Sequence, residues 1–91
     1  MKTLNSQNRL AIEKIVQHQI KILGVQIATY KANKIEGLQV NEKGKIIKLD
    51  GDSTKILQQL VHQYARLSGL VFKSVMKPIL AKYPDLPIYI D

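Results

Sequence analysis

No cysteine occurs among the 91 residues, so the chain has no disulfide and no thiolate ligand for a metal. Tryptophan is missing as well, and the aromatics amount to four Tyr and Phe72. Arginine is limited to Arg9 and Arg66. These scarcities weigh against base stacking and against bidentate recognition of phosphate or guanine. Apolar runs never exceed three residues, as in Leu70-Val71-Phe72, whereas a membrane-spanning helix needs about 20. Met1-Lys2-Thr3-Leu4-Asn5 turns polar at once, so no export signal and a cytoplasmic location are expected.

What is present is ordinary for a folded protein: 45% hydrophobic and 23% charged residues. The length suits one small domain spanning 1–91, whose core is marginal on its own. The net charge is +7, and it is uneven. Residues 1–48 hold nine Lys/Arg against three Glu, whereas 49–91 hold five against four Asp. Lys31, Lys34, Lys43, Lys45 and Lys48 crowd the middle of the chain. Such a cluster attracts nucleic acid or an anionic membrane, or else solubilises the outer face of a helix and a hairpin.

Asn5-Ser6 offers a cap before Ile12, Val16, Ile20, Leu23, Ile27 and Tyr30, a stripe with α-helical spacing. The spacing predicts one helix from about Ser6 to about Ile35, ended near Gly37. Gly24 is its weak point. The alternative stops the helix there and makes Val25–Lys31 a strand, with Val25, Ile27 and Thr29 on one face. The continuous helix is preferred because the helical phase passes through Gly24. Two β-prone segments then flank Asn41–Gly44, predicting a hairpin. Asp52 or Ser53 can cap a second helix, carried by Ile56/Leu57, Leu60/Val61, Tyr64, Leu67, Val71, Val75 and Ile79. Gly69 either separates two helices or loosens one, and Pro78 should kink or restart the helix near Lys77. The end, with Pro84 and Pro87 among Leu86, Ile88, Tyr89 and Ile90, reads as an extended apolar tail that packs on the body.

Catalytic patterns fare poorly. Asp50-x-Asp52-x-Thr54 after Ile46-Ile47-Lys48-Leu49 superficially resembles the first motif of haloacid-dehalogenase-like phosphatases. That chemistry also needs Mg²⁺ and downstream acids, and here only Asp85 and Asp91 follow. A helix cap accounts for the same residues. A calcium loop starting at Asp50 would need Gly where Lys55 stands and Glu where Val61 stands. His18 and His62 are the only histidines, without metal-ligand spacing. Gly44-Lys45 lacks the remaining residues of a phosphate loop. No enzyme, cofactor or metal is expected.

The order of strand, helix and helix over 45–82 also resembles ribbon-helix-helix repressors, which imply a dimer with Lys45 and Lys48 toward DNA. The fold expected is α+β: a long N-terminal helix, a β-hairpin, a long kinked C-terminal helix or helix pair, and an extended tail. The two helices are expected to pack antiparallel, with the hairpin joining them at one end. Their apolar surface exceeds one facing stripe, which points to an intertwined or four-helix-core dimer. Ile12, Ile15, Ile22, Val25, Val71 and Val75 are its candidate contacts. Lys43, Lys45 and Lys48 are the candidate anion or nucleic-acid contacts. The expected function is a dimerising adaptor, a small interaction module without chemistry. A dimeric nucleic-acid-binding regulator is the alternative, and docking to a membrane surface is a third reading.

Overall fold

A computed structural model describes residues 4–82; the side chains of residues 4, 5, 68, 70, 71, 75 and 80, and the expected tail, lie outside the described residues. The elements in order are α1 (Leu4–Leu23), α2 (Val25–Asn33), β1 (Leu38–Val40), β2 (Ile46–Leu49) and α3 (Ser53–Lys82). The α+β class and the order helix, hairpin, kinked helix are therefore as the sequence implies. One core cluster draws side chains from α1, α2, β1 and α3, among them Ile12, Val16, Ala32, Val40, Leu57 and Met76, and Ile46 and Leu49 of β2 pack against it.

The single long N-terminal helix is corrected. Gly24 has φ 89° and ψ 157°, which takes the chain out of helical geometry. Helical bonding resumes at once, because the Ala28 N–H donates to the Gly24 carbonyl at 3.1 Å. So 25–31 is helix rather than strand, but a second helix with its own facing. The apolar stripe shows the change. Ile12 and Val16 are fully buried, Ile20 and Leu23 are half-buried, and Ile27 and Tyr30 are exposed. In α2 the buried residues are Ala28 and Ala32. Small side chains at i and i+4 let two backbones approach, and the Tyr64 hydroxyl donates to the Ala28 carbonyl at 2.7 Å.

The hairpin lies along α1 instead of bridging two helix ends. Glu13 Oε2 accepts the Ile46 N–H at 2.9 Å. Gly44 at the turn sits against Gln17 and Ile20, one turn further along the same helix. Asn41 organises that turn: its Oδ1 accepts the N–H groups of Lys43 at 2.9 Å and Lys45 at 3.0 Å. The strands pair antiparallel, Leu38 with Leu49 and Val40 with Ile46, and the register shift between Gln39 and Val40 leaves Ile47 exposed. The outer edge of β1 is occupied at Val40, whose N–H is accepted by Asn33 Oδ1 at 2.7 Å.

Asp52 caps α3. Its Oδ1 accepts the Thr54 N–H at 2.9 Å, and its carbonyl accepts the Ile56 N–H at 3.0 Å. Asp52→Ala should cost about 1 kcal/mol, read as a lower midpoint in thermal denaturation with the same folded spectrum. Buried Asn8 donates to Ser53 Oγ at 3.0 Å and Thr54 Oγ1 at 3.1 Å, pinning the start of α1 to the start of α3. The far end of α1 leads through Gly24 to α2, whose Ala28 meets Tyr64. Hence α1 and the first half of α3 run in the same direction, and the expected antiparallel pair is corrected.

The bend in α3 is at Gly69 (φ 53°, ψ −120°), with Pro78 inside the helix that continues to Lys82. Proline removes a donor to the carbonyl of Ser74. Ser74 and Pro78 are both exposed, so water can serve that carbonyl. Thirty residues of straight helix would span about 45 Å, more than the 34 Å longest extent of the molecule. Instead Phe72, Met76 and Ile79 are brought into the core. The rings of Tyr64 and Phe72 lie 6.2 Å apart, where a straight helix would separate residues eight apart by about 12 Å.

Candidate interaction surfaces

The proposed dimer contacts divide once they are placed. Ile12 and Ile15 are fully buried in the chain's own core and line no surface. Their cover comes from within the chain, because the turn at Gly69 returns Phe72, Met76 and Ile79 to the same cluster. Ile22 and Val25 are each 40% exposed. The side chains of Val71 and Val75 lie outside the described residues.

Besides Leu10 and Ile47, which are exposed singly, the exposed large apolar side chains among the described residues fall on two surfaces. The first is the outer face of α2, where Ile27 is 51% and Tyr30 57% exposed. The Lys34 ammonium sits 4.8 Å from the Tyr30 ring centroid, a cation–π arrangement. Its hydrogen bond and its charge, helped by Lys31, hold the Tyr30 phenol below its ordinary pKa. The Tyr64 phenol moves the other way, because burial disfavours its anion. The second surface is at the reversal of α1 into α2, where Ile22, Val25 and Leu67 are half-exposed. Ile27, Tyr30 and Leu67 fall on the apolar stripes of the sequence, and their place at the surface is not evident from helical spacing. The usable signal was Ala28 and Ala32, four apart and just after Gly24, which mark the close-packed face of a separate short helix.

Lys43, Lys45 and Lys48 are all exposed. They do not form a patch of one sign: Glu42 precedes Lys43, and Lys48 lines a surface depression with Glu36, Asp50, Asp52 and Lys55. A ribbon shared between two copies also needs a free strand edge. Here β2 pairs with β1, and its Ile46 N–H is held by Glu13.

His18 is half-buried on α1 and His62 exposed on α3. Among the described residues no group of three or more His, Asp or Glu is placed to hold a metal ion. Likewise, no helix among them is long and apolar enough to cross a membrane. Comparison of the chain with protein-family models, with curated proteins and with solved structures finds no match.

Proposed function

We propose that this chain is a small non-enzymatic interaction module, a dimerising adaptor whose contact element is α2. The observation that carries the reading is the outward position of Ile27 and Tyr30 on a helix that faces the body with two alanines. A second copy supplies the same residues to a two-fold contact, so each apolar side chain finds an apolar partner. Clustered exposed hydrophobics of this kind mark contact surfaces.

Light scattering should give twice the mass of one chain. Ile27→Glu should give the single-chain mass with an unchanged circular dichroism spectrum, because Ile27 lies outside the core and its charge would be buried only in the dimer. A wild-type monomer at high micromolar concentration would sink the reading.

The alternative, a nucleic-acid-binding regulator, rests on the exposure of Lys43, Lys45 and Lys48. It ranks second because carboxylates lie beside Lys43 and Lys48, and one N–H on each strand is already accepted by Asn33 or Glu13.

A further inference from the structure

Both chain reversals, at Gly24 and Gly69, lie at one end of the molecule. Ala28, four residues after the first, meets Tyr64, five residues before the second. Lys34 and Ile35, later in the chain, line a depression with Gln58, Gln59, His62 and Gln63, earlier along α3. So α2 and the first half of α3 run antiparallel, and the two glycines share an end.

Three apolar side chains are open at this end. Ile22 is seven residues from buried Ile15, Val25 three from buried Ala28, and Leu67 three from buried Tyr64. All three keep the helical phase of the core. The chain segments that supply them carry charge of one sign. Residues 14–35 contain Lys14, Lys21, Lys31 and Lys34 and no acid, and residues 53–82 contain Lys55, Arg66, Lys73, Lys77 and Lys82 and no acid. Lys21 and Arg66, next to Ile22 and Leu67 in the chain, are exposed. All described acids lie instead at Glu13 or between Glu36 and Asp52, in and around the hairpin.

We infer that this end docks on an anionic lipid bilayer, with Ile22, Val25 and Leu67 entering the headgroup–acyl boundary and Lys21 and Arg66 meeting lipid phosphates. Apolar residues flanked in the chain by exposed Lys21 and Arg66, in segments that hold no carboxylate, match the interfacial profile of a peripheral membrane protein. The shape agrees. Among the described residues, a side-chain carbon added at Gly24 or Gly69 would meet nothing within 4 Å, so both turns are open at these positions. This inference does not rest on the dimer, which uses the outer face of α2.

The test is co-sedimentation of the full chain with phosphatidylcholine vesicles, with and without phosphatidylserine. Binding should require phosphatidylserine and weaken as salt is raised. Lys21→Gln and Arg66→Gln should each lower partitioning about fivefold. The double variant Ile22→Ser/Leu67→Ser should lower it about tenfold or more, with unchanged mass in light scattering. Lys43→Gln/Lys45→Gln, at the hairpin turn, should bind as the wild type does. Absence of binding overturns the proposal. So does an equal loss in the hairpin variant, which would mean attraction by net charge alone. If Ile22→Ser/Leu67→Ser lowers the melting temperature sharply while the wild type ignores vesicles, residues 83–91 or another part of the chain cover this end, and the proposal fails.

Discussion

Gly37→Ala should be the most damaging single-methyl substitution in the chain. Gly37 has φ 88°, a region where an L side chain costs about 1–2 kcal/mol. A methyl group there also collides with the backbone carbonyl oxygen of Asp50 and presses on Ile56 Cδ1 at 3.2 Å. Asp50 cannot retreat freely, because its own N–H donates to the Gly37 carbonyl at 2.7 Å. That bond closes the hairpin where the chain enters β1 and leaves β2. Strain and collision together should cost at least about 3 kcal/mol, a large share of the roughly 5–15 kcal/mol that holds a domain. The thermal midpoint should fall by more than about 10 °C. Gly51→Ala is the control: its φ is 98°, but an added methyl meets nothing within 4 Å. It should cost about 1 kcal/mol. Equal losses in the two variants would show that the approach of Asp50 to Gly37 contributes nothing.

Phe72→Ala should cost about 3–5 kcal/mol in urea denaturation. Phe72 is fully buried, and its ring meets Tyr64 across the bend at Gly69. The loss would leave a cavity between the two halves of α3. Tyr64→Phe, which keeps the ring and removes the hydroxyl bond to Ala28, should cost about 1 kcal/mol. Exposed Ser74→Ala should change stability by less than about 0.5 kcal/mol. A Phe72→Ala loss as small as that of Ser74→Ala would mean that the segment after Gly69 does not hold the core.

Local features were legible because their causes are local. Asp52 was one of two cap candidates with Ser53, and it serves because a short carboxylate can bond backbone donors two and three residues on. Asn41 and Gly44 mark the hairpin turn through bonds confined to five residues. Fully buried Asn8 was not legible, as its partners Ser53 and Thr54 are 45 and 46 residues away. Nor was the role of Glu13, whose partner, the Ile46 N–H on β2, is 33 residues away.

By itself the sequence determined the α+β class, a hairpin between helical segments and a cap for α3 at Asp52 or Ser53, because spacing, propensity and turn chemistry act within a few residues. Tertiary structure decided how those elements face one another. The helical phase runs through Gly24 undisturbed on paper, but the turn there redirects the next helix, so Ile27 and Tyr30 leave the stripe that Ile12 and Val16 begin. The bend at Gly69 likewise returns Phe72 to the core, so that Ile12 and Ile15 are covered within one chain. Periodicity counts which residues share a face of a helix. It carries no information on which way a glycine turns the chain, and that turn determines what each face meets.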